Sequence, residues 1–134
     1  MGEMSRQVRI ENRTRGTTIA ERARVARSLR DRTVGLLGTS RLDPGDGLFI
    51  ERSPSIHMFF MRYAIDALFV SKAGQVTKIA ANLKPWRVVW WAPGARDCLE
   101  LPAGSVAASG TQVGDELVLE NVELDQPQTS RATA

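Results

Sequence analysis

Short apolar segments separated by turn-forming residues are the feature that most restricts the fold of this chain. The segments "QVRIENRT" and "TIAERARVAR" alternate apolar and polar residues on either side of Gly16, which predicts a hairpin over residues 7–27. Later segments repeat the same pattern. Further strands are predicted at 47–52, 56–61, 65–71, 77–83, 86–91, 96–104 and 116–124.

One segment, "SLRDRTVGLL" at 28–37, has helical rather than strand periodicity. Ser28 can cap its first turn and Gly38 can end it. The predicted fold is therefore α+β: a mainly antiparallel, strongly bent, barrel-like β-sheet, with one short helix (about 28–37) in the N-terminal half that covers one opening. We expect a single domain over 1–124, whose first few residues can be flexible. A disordered tail follows at 125–134, because that segment has no apolar anchor.

Composition excludes several classes of protein. The chain has 43% hydrophobic and 25% charged residues, typical of a globular domain, and no apolar run long enough to span a membrane. The start, "MGEMSRQVRIENRTRG", lacks the apolar core of a secretory signal. Cys98 is the single cysteine, so an internal disulfide is impossible. These features favour a cytoplasmic location.

The net charge of +3 is unevenly distributed, since residues 1–32 carry nine arginines against four acidic residues. A basic N-terminal segment is one way to contact nucleic acid. No recognition motif accompanies it, and arginine is the dominant basic residue throughout the chain. We therefore interpret the charge as compositional bias and expect no nucleic-acid partner.

The stretch "IHMFFMRYAIDALFV", residues 56–70, contains an acid among apolar residues. Asp66 shares one face of the predicted strand with Leu68 and Val70, and a buried carboxylate is costly unless other groups bind it. Two interpretations follow. In one, Asp66 accepts backbone N–H bonds from the bend at 62–64 or pairs with an arginine. In the other, it lines a polar pocket with Glu100 and Arg96, and Asp66→Asn then weakens ligand binding without loss of stability.

Three segments occur in this order: "GLLGTSRLDPGDGLFI", "HMFFMRYAIDALFV" and "DCLELPAGSVAASGTQVGDELVL". Together they resemble the bacterial and archaeal family called domain of unknown function 192, over about residues 26–119. The residues that match the family pattern are Gly35–Leu36, Phe60–Met61, Ile65–Asp66, Glu100 to Gly104 and Gly114–Asp115. Phe60 stands where many members have tryptophan, and Arg62–Tyr63 replaces a more polar pair. The resemblance implies a compact β-rich fold with a short helix, and no established activity.

Few residues offer catalytic or metal chemistry. One histidine, His57, and one cysteine cannot form a four-ligand zinc site, and no glycine-rich phosphate loop is present. We expect no metal, no cofactor and no catalytic residue. A hard-cation site that uses Asp66 and Glu100 stays open as an alternative, as does a Cys98–His57 nucleophile and base pair.

We therefore expect non-catalytic binding of a small molecule or a protein partner, through a polar site in an apolar β bend. The candidate ligand-binding residues are Asp66, Glu100, Arg96, Met61, Phe60 and Trp91. One alternative is a hydrolase or isomerase that uses Asp66 and Glu100. Another is an assembly module that uses the aromatic strand Trp86–Trp91, because a strand that is apolar on both faces is either covered or forms a contact surface.

Overall fold

The computed structural model describes residues 6–27, 41–89 and 92–122. Within these ranges the chain is mostly β, with one short helix, α1. The predicted helix at 28–37 lies outside the described residues, as do Trp90, Trp91 and the predicted tail. The elements are β1 (Gln7–Asn12), β2 (Thr17–Ala26), β3 (Asp46–Ile50), β4 (Ile56–His57), β5 (Ile65–Val70), β6 (Val76–Leu83), β7 (Val88–Val89), β8 (Asp97–Pro102), α1 (Ser105–Ser109) and β9 (Leu117–Asn121).

Seven strands form one curled sheet in the order β6-β5-β8-β3-β2-β1-β9, and β4 pairs with β7 in a separate two-stranded sheet. The pair β2–β3 is parallel and the other described pairs are antiparallel. An isolated bridge between Gln75 and Glu116 brings the start of β6 to the start of β9. The sheet is thus a half-barrel, consistent with the predicted bent and mainly antiparallel sheet, to which the structure adds the parallel pair.

Both faces of the central strands β3, β5 and β8 are buried, because their residues alternate between two hydrophobic clusters. In β8, Leu99 and Leu101 enter the inner core, whereas Cys98 enters the outer core, as the sequence predicted. The inner core lines the curl and includes Val8, Ile10, Phe49, Leu68, Val70, Leu99 and Leu117. The outer core includes Leu48, Ile50, Ile56, Met58, Met61, Ala67, Phe69 and Cys98.

Two predicted strands are shorter than expected. The strand predicted at 56–61 ends at His57, and a turn follows in which Phe60 has φ 66°. In the strand predicted at 86–91, the described β-residues are Val88–Val89, and Trp86 lies before them with φ 73°. The expectation that Trp86 extends a strand is wrong, because the backbone at this position is left-handed rather than extended.

Candidate functional site

Asp66 is held by backbone N–H groups from two distant parts of the chain. It is 1% exposed. Its Oδ1 accepts the N–H of Asn82 at 2.8 Å, and its Oδ2 accepts those of Gly104 at 3.1 Å and Val106 at 2.9 Å. The prediction that other groups bind this carboxylate is confirmed, but among the described residues its donors are neither at 62–64 nor on an arginine. Asp66 joins the end of β6 to the turn before α1.

Glu100 lies on the opposite face of the sheet from Asp66. In the β5–β8 ladder, Asp66 is opposite Leu101 and Glu100 is opposite Ala67, so their side chains point to different faces. Glu100 is 7% exposed, and burial raises its pKa to about 7. The structure therefore does not bring the two carboxylates to one pocket or cleft, the arrangement that both the hydrolase alternative and the shared cation site require.

Arg96 lies at the other end of β5 from Asp66. Its N–H donates to the carbonyl of Val70 at 2.7 Å, and its Nε is 3.7 Å from Oδ1 of Asp97. Asp97 also accepts the N–H of Arg52 at 2.9 Å, and its pKa is raised, mainly by burial. Arg96 and Asp66 thus occupy opposite ends of the half-barrel.

Met61 and Phe60 are adjacent in sequence but have different surroundings. Met61 is buried in the outer core, whereas the Phe60 side chain is 72% exposed. Trp91, the sixth predicted residue, lies outside the described residues. The six predicted residues therefore do not form one site, and their binding roles stay predictions.

Phe60 instead belongs to an exposed aromatic cluster, which consists of His57, Phe59, Phe60 and Trp86. Ring centroids are 5.0 Å apart for His57–Phe59, 5.9 Å for Phe59–Trp86 and 4.9 Å for Phe60–Trp86. Phe59 is 39% exposed and Trp86 is 58% exposed. Three large aromatic rings in contact on the surface form a patch typical of binding sites rather than of scattered exposed residues.

Met58 holds the two loops of the aromatic cluster together. Its carbonyl accepts the N–H of Trp86 at 2.7 Å and that of Met61 at 3.2 Å, and its own N–H donates to the carbonyl of Arg87 at 2.7 Å. Its side chain is buried in the outer core. Phe60 and Trp86 both have left-handed backbones, which cost about 1–2 kcal/mol each for residues other than glycine. The fold thus holds the exposed rings in place at a cost in stability.

The turn at Trp86 is not predicted, because the β-propensity of "WRVVWW" favours a strand. Pro85, immediately before Trp86, was the available signal: proline is typical of a turn and is disfavoured within a strand. Similarly, Met58, Phe59 and Phe60 are three consecutive large apolar residues without alternation. A single strand cannot place all three on one buried face.

The Cys98–His57 alternative requires a reactive thiol. Cys98 is completely buried in β8, and burial raises its pKa well above the ordinary value. The exposed His57 uses its Nδ1 to accept the N–H of Phe59 at 3.2 Å. A buried thiol of raised pKa is a poor nucleophile. Across the described ranges, no group of three or more His, Cys, Asp or Glu side chains is placed to hold a metal ion.

The family model named DUF192, described as "Uncharacterized ACR", matches residues 10–119. The chain belongs to this family. A UPF0127 protein of Thermococcus sibiricus is 28% identical over 110 residues, which cover 79% of this chain and 71% of the relative. A UPF0127 protein of Pyrococcus furiosus is 38% identical over 63 residues, 47% of this chain and 53% of that protein.

Two solved structures share the fold. A protein of unknown function from Novosphingobium aromaticivorans has a TM-score of 0.72 at 24% identity, covering 84% of this chain and 83% of its own. A protein from Sinorhizobium meliloti, described as a candidate transcription regulator, has a TM-score of 0.73 at 25% identity, covering 88% and 98%. The DUF192 fold is thus common to proteins that differ widely in sequence.

Residues that match the DUF192 pattern stabilise the half-barrel. Asp66 of one motif binds the N–H of Gly104 of the next. Asp115 accepts two bonds from the Arg15 guanidinium at 2.9 and 3.1 Å and one from the Asn12 side chain at 3.0 Å. These bonds, those from Arg15 foremost, lower the pKa of Asp115 to about 2.

The described part of the chain contains no helix long and apolar enough to cross a membrane.

Proposed function

We propose that this chain is a non-catalytic binding protein whose contact surface is the aromatic cluster, and that its partner is an acidic segment of another protein carrying an apolar side chain. The main evidence is that Phe59, Phe60 and Trp86 are exposed next to one another. Aromatic residues are enriched at protein interfaces, where they often contribute most of the binding energy. Two of these residues, Phe60 and Trp86, have left-handed backbones that lower the stability of the fold. A binding role explains why the fold retains aromatic residues at these strained positions.

The charge around the aromatic cluster supports an acidic partner. Arg62, Lys84 and Arg87 are exposed beside the rings, and residues 52–64 and 80–89 contain no Asp or Glu. None of these three cations forms an ion pair within the described ranges. They are thus available to attract carboxylates of a partner and to raise its association rate.

A small cavity beside the rings supports a peptide rather than a flat ligand. It has a volume of about 150 Å³ and is lined by Ser55, Ile56, His57, Phe59, Val88 and Val89. A cavity of about this size accepts one benzene-sized group. Phe60 and Trp86 are inclined at 60° to each other, so they do not form a flat stacking platform for successive bases. One apolar side chain in the cavity and carboxylates on the cations fit this shape.

Three of the six predicted site residues have a part in this proposal. Phe60 contacts the partner, and Met61 supports the turn from below. Asp66 acts indirectly, since it holds Asn82 two residues before Lys84. Glu100 and Arg96 lie elsewhere, and a contact from Trp91 stays a prediction.

The test is selection of peptides from a random display library, followed by affinity measurements on Phe60→Gly and Trp86→Gly variants. We expect the selected peptides to combine Asp or Glu with one large apolar residue. Each variant should lose about 2 kcal/mol of binding free energy, about 30-fold in Kd. Glycine suits the left-handed backbone, so the free energy of unfolding should stay within about 1 kcal/mol of wild type or rise.

Arg52→Gly is the matched control, because Arg52 also has a positive φ of 56° but lies outside the aromatic cluster. It should leave peptide binding unchanged. Equal binding of the peptides to wild type and Phe60→Gly contradicts the proposal. So does binding of oligo(dT), with a steep salt dependence, in place of acidic peptides. A wild-type dimer that Trp86→Gly dissociates identifies a second copy as the occupant and also contradicts it.

A further inference from the structure

The mouth of the half-barrel, at the end remote from Asp66, contains a second cavity. It has a volume of about 280 Å³ and lies where β3, β5 and β9 end or begin. Its apolar floor is part of the inner core and consists of Phe49, Val70, Leu117 and Leu119. Openings at the mouths of β-barrels are common positions for small-molecule sites.

The rim of this cavity is cationic. Four basic residues, Arg6, Arg27, Lys72 and Arg96, line it against two acids, Glu51 and Asp97. Both acids pair with arginines of the rim, since Glu51 lies 3.0 Å from Arg27 and Asp97 lies 3.7 Å from Arg96. Within the described ranges, Lys72 and Arg6 have no carboxylate partner. The rim therefore has an excess of two positive charges above an apolar floor.

We propose that this cavity binds a small organic anion, with its apolar part on the floor and its carboxylate or phosphate on Lys72 and Arg6. An apolar floor favours hydrocarbon, and the two uncompensated charges select against a neutral molecule of the same shape. Since a water molecule takes about 30 Å³ of liquid volume, 280 Å³ holds about nine molecules of that size. The ligand thus has about ten non-hydrogen atoms. The site is independent of the aromatic cluster, which lies over the outer core.

Binding of octanoate, octanamide and acetate to the full chain tests this proposal. Calorimetry should give saturable octanoate binding with a Kd below about 1 mM. Octanamide, which has the same chain without the charge, and acetate, which has the charge without the chain, should each bind at least about tenfold more weakly. In NMR spectra, octanoate should shift the methyl signals of Val70, Leu117 and Leu119.

Substitutions locate the charge contribution. Lys72→Gln and Arg6→Gln should each weaken octanoate binding about tenfold. Lys78→Gln is the matched control, because Lys78 is exposed on β6 opposite Phe69 of the outer core, and it should have no effect. Equal binding of octanoate and octanamide overturns the proposal. It is also overturned by absence of saturable binding, by shifts confined to the aromatic cluster, or by equal affinities of the Lys72→Gln and Lys78→Gln variants.

Discussion

Asp66→Asn is the substitution that most directly tests the structural role of the buried carboxylate. Asparagine keeps one oxygen, which can still accept the N–H groups of Gly104 and Val106. Its NH₂ group then faces the N–H of Asn82, which loses a partner at 2.8 Å. A hydrogen bond to a charged group contributes about 1.5–3 kcal/mol, and the two retained bonds become weaker when the acceptor is neutral. We expect the free energy of unfolding to fall by about 2–4 kcal/mol.

Urea denaturation monitored by tryptophan fluorescence measures this loss, and the thermal midpoint should fall by about 4 °C for each kcal/mol. Amide hydrogen exchange gives the local signature, which is faster exchange at Asn82, Gly104 and Val106. The control is Asp46→Asn, which breaks an exposed pair with Arg22 and should cost less than about 1 kcal/mol. An Asp66→Asn protein as stable as wild type refutes this reasoning. That result supports the polar-pocket interpretation, which expects the substitution to weaken ligand binding without loss of stability.

Two further predictions concern pH and backbone geometry. Because the pKa of Glu100 rises from 4.5 to about 7, the folded protein holds a proton that the unfolded chain has released between these pH values. The free energy of unfolding should therefore fall with rising pH across that window, by about 3 kcal/mol in all, and level off above it. Urea titrations at several pH values should show that Glu100→Gln loses most of this pH dependence. An unchanged pH dependence in that variant contradicts the prediction. At Gly74, which has φ 90°, an added Cβ lies 2.9 Å from the Leu117 carbonyl oxygen, so Gly74→Ala should cost about 2–3 kcal/mol. The control is Gly16→Ala, where φ is 71° and an added Cβ has no neighbour among the described residues within 4 Å; it should cost about 1 kcal/mol. If thermal denaturation gives the two variants equal losses of stability, the contact with Leu117 is unimportant.

The strands with regular alternation could be predicted from the sequence alone. In β8, Leu99 and Leu101 face one cluster and Cys98 the other, as their spacing requires, because successive side chains on an extended strand point to opposite sides. The hairpin of β1 and β2 around Gly16 was predictable for a similar reason, since a glycine between two alternating segments permits the positive φ of the turn. The burial and binding of Asp66 also followed, because an unpaired carboxylate in an apolar strand is too costly.

The partners of Asp66 depend on the tertiary structure. Its donors lie 16, 38 and 40 residues further along the chain, and the curl of the sheet alone brings them together. The separation of Asp66 from Glu100 depends on the register between β5 and β8, which pairs Asp66 with Leu101. The exposure of Phe60 and Trp86 depends on Met58, whose carbonyl binds the backbone of both loops. Local periodicity reports only which face of a strand a side chain occupies; the distant element that covers the face or donates to it is decided by how the strands pack.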